Sequence, residues 1–233
     1  MIAVAGTATS LSDRVLAALS DVTDPELDEP ITDLGFVRSV RIENSRVTVH
    51  LRLPTSFCSP NFAYLMASDA VDALRRVEGL RGVEVQLDDH HDSDKINAGL
   101  AADAGYVGTF GVEAEESLED LRRIFREKAH TAAMERCAEH LLRTTDVTVD
   151  DLHLVTLADV PEGAHKDALL RRRAAVGLGT DPGGLLVVDE TGAALAAADV
   201  PLRLRFAKSV RISMEGNAHF CRGLLATRYG STP

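Results

Sequence analysis

The sequence predicts an α+β fold: a small three-stranded sheet with helices on one face, in the order helix-strand-strand-helix-strand, followed by a second, mainly helical α/β domain. Three observations carry this prediction. Two stretches keep helical apolar spacing, two runs between them alternate in side-chain character about a turn, and a longer helical pattern follows a glycine-punctuated segment. The first domain is read as residues 1–112 and the second as residues 113–233.

Residues 11–19 form the first helix, with Val15, Leu16 and Leu19 on one face behind Ser12, which reads as its cap; the turn-forming Asp24-Pro25 ends the segment. Residues 36–42 and 46–53 read as strands joined at Glu43-Asn44-Ser45, an antiparallel hairpin. A second helix opens at Pro60 behind Ser59, and Phe62, Leu65, Met66, Val71 and Leu74 keep its spacing as far as Gly79. Val83, Val85 and Leu87 supply the third strand, and the unit closes near residue 88. Gly99, Gly105, Gly108 and Gly111 mark a boundary, after which a long amphipathic helix begins at Glu115-Glu116-Ser117 and runs through Leu118, Leu121, Ile124, Phe125, Met134, Cys137, Leu141 and Leu142. Cys137 shares the apolar face and reads as core, whereas His130 and His140 read as surface or boundary positions. Leu169 and Leu170 open a basic helical patch through Arg171-Arg172-Arg173, and residues 185–188 read as a strand turning at Glu190-Thr191-Gly192.

Composition narrows the function classes. With 233 residues and 45% hydrophobic content the chain can bury a substantial core, and a net charge of -11 opposes non-specific binding to nucleic acid or an anionic membrane. No apolar run approaches the ~20 residues needed to span a bilayer. The first ten residues also lack the basic n-region of a secretory signal, so a cytoplasmic protein is expected. Cys58, Cys137 and Cys221 form no CxxC pair and are too few for a disulfide framework, in keeping with a reducing compartment. From residue 201 onward the bases Arg203, Arg205, Lys208, Arg211, Arg222 and Arg228 face the single acid Glu215. This tail can dock on the protein's own acidic half, on a second subunit or on an acidic client, and docking within the chain requires least.

Cys58 carries the strongest chemical signal. It lies in Pro54-Thr55-Ser56-Phe57-Cys58-Ser59-Pro60, a turn that lifts a thiol onto a helix start, where the dipole favours a thiolate able to bind metal or act as a nucleophile. The inert alternative is a small apolar residue filling the turn. Asp24 and Glu26 also have two readings: members of a functional patch, or solvated caps of the Asp24-Pro25 turn.

These residues carry a resemblance. Asp24-Pro25-Glu26-Leu27, then Asp33-Leu34-Gly35 entering the hairpin, the Thr55-x-x-Cys58 turn and the helix leading to Gly82-Val83-Glu84-Val85 resemble the PaaD/SufT-like iron-sulfur assembly domain over about residues 10–90. The resemblance implies assembly or delivery of iron or iron-sulfur clusters, and a patch of Asp24, Glu26, Thr55 and Cys58 that meets the cofactor. Pro54 stands where a second threonine is usual in that family, and the family's aromatic and proline-rich ending is replaced by Asp88-Asp89-His90-His91-Asp92-Ser93-Asp94. Two imidazoles and neighbouring carboxylates suit Fe(II) or Zn(II), which adds His90, His91 and Asp94 to Cys58 as candidate metal ligands. Adjacent side chains on extended backbone diverge, so one histidine with Asp94 is the easier pair; the inert alternative is a solvated acidic loop. Cys221, beside His219, completes the candidate ligands. On a helix those two point about 200° apart, and packing beside Phe220, Leu224 and Leu225 is the alternative for Cys221.

Three function classes follow. The leading one is a non-catalytic metallocofactor maturation factor that holds iron or a cluster transiently through Cys58 and passes it to a client metalloenzyme, such as a non-haem iron oxygenase, recognised by the second half. A site of this kind must be incomplete or shared, for example across a homodimer, because a closed four-ligand site retains its metal. The second class is a metal-free chaperone for an apo-oxygenase. The third is a cysteine-dependent enzyme, for which the sequence shows no base partner.

Overall fold

The computed structural model describes residues 10–111, 114 and 118–230. Helix α1 (Leu11–Ser20) is capped by Ser10, not Ser12: the Ser10 hydroxyl accepts from the Asp13 N–H at 3.1 Å, and the Asp13 carboxylate accepts from the Ser10 N–H at 3.1 Å. Ser12 already lies inside the first turn and cannot close this reciprocal box. Strands β1 (Thr23–Asp24) and β2 (Glu29–Pro30) pair antiparallel as a short ribbon. Strands β3 (Val37–Glu43), β4 (Arg46–Arg52) and β5 (Gly82–Asp88) form the three-stranded sheet, with β4 central.

The β3–β4 pairing is the expected hairpin. Asn44 and Ser45 both take positive φ, 49° and 62°, the left-handed pair whose twist suits a two-residue connection. β4 and β5 pair parallel, from Arg46 opposite Gly82 to Arg52 opposite Asp88, because helix α2 (Pro60–Arg75) crosses over between them. Val47, Val49 and Leu51 alternate inward from β4 and Val85 and Leu87 from β5, onto the Ala63, Met66, Ala67, Ala70 and Leu74 side of α2. Helix α3 (Ser93–Ala101) covers an edge: the Asn97 side-chain amide donates to the Leu87 carbonyl at 3.1 Å and accepts from the Leu87 N–H at 2.8 Å. Both edge groups of Leu87 are thereby satisfied. The stretch read as a glycine-marked boundary also contains a short helix, α4 (Gly105–Phe110), whose Tyr106 and Phe110 rings pack on Tyr64. The expected helix start at Glu115 to Ser117, and the expected boundary at 112–113, lie outside the described residues.

Two compact units divide the chain, one comprising Met1–Leu118 with Ala218–Pro233 and the other Glu119–Asn217. In the second unit, α5 (Leu118–Thr144) buries Ala133, Met134, Cys137, Ala138 and Leu141 with α6 (Ala164–Ala175) and the first part of α7 (Val200–Tyr229). Arg211 of α7 is paired with the buried Glu135 of α5 and with Glu139 at 3.3 Å. Leu186, Val187 and Val188 are buried and Leu185 partly so, and the chain turns at Glu190-Thr191-Gly192 as expected, but the run makes isolated bridges, Thr156 to Leu185 and Val188 to Ala194, instead of a regular strand. Arginine side chains take the place of a ladder: Arg173 donates to the Gly179 and Leu185 carbonyls, and Arg203 to that of Val188. No described helix is long and apolar enough to cross a membrane.

His130, expected near the surface, is buried on α5, and its Nε2 has no hydrogen-bond partner among the described residues. Burial pushes its pKa down to about 4, with the positive charges of Arg173 and Arg203 adding to the effect. As the pH falls from about 6.5 to 4, the unfolded chain takes up this proton before the folded one, so stability is lost across that window. Urea denaturation of wild type and His130→Leu at pH 7 and pH 4.5 is expected to show the variant gaining on wild type by about 2 kcal/mol on acidification. Parallel losses in the two proteins would contradict this account.

Candidate functional site

The Asp24 loop is built around one carboxylate. Asp24 Oδ1 accepts the N–H groups of Glu26 and Leu27, each at 2.9 Å, while the Asp28 N–H bonds the Asp24 carbonyl and Asp28 adopts φ 55°. The loop between β1 and β2 is therefore closed by its own first residue, as an aspartate turn requires. Asp24 is only 7% exposed, so it is not a solvated cap; Glu26 is half-buried. Burial is the main cause of an Asp24 pKa raised to about 6, and the neighbouring charges of Glu26 and Glu29 add to it against the two backbone N–H groups.

The Cys58 turn leads into α2 as expected, with Ser59 at the N-cap position and Pro60 as the first helical residue, although the Ser59 hydroxyl makes no cap bond. Instead, Thr55 shapes the turn: its hydroxyl accepts from the Phe57 N–H at 3.2 Å and lies 3.5 Å from Cys58 Sγ. Cys58 is half-buried, and Phe57 beside it is 81% exposed.

The segment after β5 reaches this turn. His90 is buried; its Nδ1 accepts the Asp92 N–H at 3.1 Å, so Nε2 carries the proton and donates to the Cys58 carbonyl at 2.8 Å. The His91 N–H donates to the Ser56 carbonyl at 2.9 Å, and the His91 ring lies 5.8 Å from that of Phe57. Both ring nitrogens of His90 are thus engaged with backbone. Asp94 lies exposed in the first turn of α3, where a carboxylate suits the positive helix end. Among the described residues, no group of three or more His, Cys, Asp or Glu side chains is arranged to hold a metal ion.

The end of α7 closes the other side. Arg228 donates to the Leu53 carbonyl at 3.1 Å, the Ser56 hydroxyl at 2.8 Å and the Asp89 carbonyl at 2.5 Å; Tyr229 reaches the Asp89 carboxylate at 3.3 Å, and Arg222 is paired with Glu29. Leu225 is buried against Gly35, whose φ of 75° and missing Cβ admit it. Cys221, half-buried on the same helix, packs on the same core as Cys58 and feels the charges of Asp24, Cys58 and Glu26. Its thiol is pushed up to about 11, first by burial and then by those charges, with Arg222 opposing. His219 is exposed. Arg222 and Arg228 stood out in the sequence only as members of the basic tail after residue 201, for which docking within the chain was expected, and Tyr229 carried no signal.

A family profile described as iron-sulfur cluster assembly protein matches residues 12–87. An uncharacterized protein of Methanocaldococcus jannaschii is 33% identical over 84 residues, covering 36% of this chain and 86% of that protein. The chain belongs to the iron-sulfur cluster assembly protein family through this N-terminal segment. An iron-sulfur cluster carrier protein of Mycobacterium leprae is 35% identical over 100 residues, or 42% of this chain, but only 26% of the carrier's own length is matched. The assembly domain so defined contains Asp24, Glu26, Thr55 and Cys58, whereas Cys221 comes from the helix beyond the match.

A charged Asp24 costs the assembly domain stability, because a folded-state pKa near 6 against 3.8 means that the folded protein holds the proton longer and weakens as the pH rises through that window. Asp24→Asn keeps an oxygen for the two backbone N–H groups and removes the charge. Thermal or urea denaturation at pH 7.5 is expected to show the variant more stable by on the order of 2 kcal/mol, with the gap closing below pH 4. A variant less stable than wild type at pH 7.5 would contradict this.

Proposed function

We propose that the protein is a non-catalytic maturation factor that holds iron or an iron-sulfur cluster transiently through a patch centred on Cys58 and delivers it to a client metalloenzyme. The observation that carries this reading is the Cys58 turn inside the matched segment: the Thr55 hydroxyl lies 3.5 Å from Cys58 Sγ, and His90, just beyond the match, donates to the Cys58 carbonyl at 2.8 Å. A half-buried thiol with a restrained main chain can bind a thiophilic metal, and the incomplete ligand set among the described residues suits a carrier that must release what it binds. The carrier name of the mycobacterial relative supports the same reading. Residues 113–233 serve client recognition in this proposal, a non-haem iron oxygenase is the client type considered, and the setting is cytoplasmic. His90 acts as a positioning residue for the thiol turn.

A metal-free chaperone is the second reading, favoured by Phe57, a large apolar side chain left 81% exposed next to Cys58. Anaerobic incubation of the full chain with ferrous iron, with and without sulfide, separates the two. The carrier reading expects stoichiometric iron with visible charge-transfer absorption, a fall of about tenfold in Cys58→Ala, and passage of the cluster to an apo-ferredoxin acceptor. Undiminished loading of Cys58→Ala, or no loading of wild type, would overturn it.

A further inference from the structure

The final turns of α7 belong to the same compact unit as the assembly domain. Leu225 seats them in its core beside Gly35, at the entry to β3, and Arg222 pairs with Glu29 of β2. Arg228, at the end of the helix, is used differently. It donates to the Leu53 carbonyl at 3.1 Å, the Ser56 hydroxyl at 2.8 Å and the Asp89 carbonyl at 2.5 Å. Leu53 and Ser56 lead into Cys58, and Asp89 leads into His90 and His91. Those two histidines hold the same turn, His90 Nε2 on the Cys58 carbonyl at 2.8 Å and the His91 N–H on the Ser56 carbonyl at 2.9 Å. Every hydrogen bond that Arg228 makes to a described residue therefore falls on the two segments that carry the thiol and its supports. The three acceptors are uncharged oxygens, met together because a guanidinium is a rigid planar fork.

This brace lies outside the matched segment, which ends at residue 87. In the Methanocaldococcus jannaschii relative the 84 aligned residues make up 86% of the protein, which leaves too little length for a 30-residue helix such as α7. The brace is an addition to the domain as that relative carries it.

Resting on the function proposed above, we propose that Arg228 is a positioning residue for Cys58: from the end of α7 it fixes the thiol turn against the turn after β5, so that iron or a cluster meets a sulfur already held in place. A ligand whose main chain is ordered before binding loses less freedom when the metal arrives, and partners standing behind a ligand are worth about 10–100-fold in metal affinity. Without Arg228 the turn keeps the bonds from His90 and His91 but loses those that tie Leu53, Ser56 and Asp89 to one rigid group. Lysine keeps the charge, yet a single ammonium on a flexible stem does not reproduce the fork.

The test uses the full chain as wild type, Arg228→Ala, Arg228→Lys and Arg222→Ala. Apparent affinity for ferrous iron, measured anaerobically by competition with a chromophoric chelator, is expected to fall about tenfold in both Arg228 variants. Arg222→Ala removes the neighbouring anchor on Glu29 and is expected to bind iron as wild type does, which separates positioning of the turn from docking of the helix. A second readout needs no metal: deuterium uptake is expected to rise in residues 55–59 and 90–92 of the Arg228 variants while β4 stays protected. If Arg228→Ala does not fold, the lysine variant carries both measurements. Wild-type affinity in the Arg228 variants, full rescue by lysine, or an equal loss in Arg222→Ala overturns the positioning role and leaves the Cys58 carrier reading standing. Failure of wild type to bind iron overturns both.

Discussion

The guanidinium of Arg228 ties together two stretches of chain far apart in sequence: the segment from Leu53, just after β4, to Ser56 in the thiol turn, and the turn after β5 at Asp89. Each bond places a charged donor on a neutral acceptor, worth about 1.5–3 kcal/mol where the acceptor would otherwise lie buried and unpaired. Position follows from this more than stability does. With Arg228 in place, Leu225 enters beside Gly35, Arg222 reaches Glu29, and Cys221 is held over the core that also carries Cys58.

The Asp24 loop is built at the expense of local stability. Asp24 closes its loop with two backbone bonds, a role that asparagine could fill, yet it carries a charge in a buried place beside Glu26 and Glu29. His90 contributes differently. By donating to the Cys58 carbonyl and accepting from Asp92, it fixes the main chain under the thiol without offering a free ring nitrogen.

Much of the first unit was legible because its instructions are local. The alternation of Val47, Val49 and Leu51, the Asn44-Ser45 turn and the Ser59-Pro60 helix start each act over a few residues, and the structure realises all three. The Ser10 cap was misread as Ser12 because Ser12 stands nearer the apolar stripe of Val15, Leu16 and Leu19, whereas the reciprocal bond with Asp13 places the cap at Ser10. Residues 185–188 were misread as a strand because an apolar run with a turn looks the same whether its carbonyls meet a neighbouring strand or the side chains of Arg173 and Arg203. His130 was placed near the surface because polarity predicts exposure on average and says nothing of one residue's neighbours.

The sequence by itself determined the two main helices and the three longer strands of the assembly domain and the motif around Asp24 and Cys58, though not the β1–β2 ribbon, because periodicity, turn chemistry and motif spacing are properties of neighbouring residues. Only the tertiary structure decided that β5 pairs parallel with β4, that His90 turns inward to the Cys58 carbonyl, and that Cys221 shares a core with Cys58. Those outcomes depend on which surfaces pack and which buried polar groups find partners across the chain, a balance that no short stretch of sequence encodes.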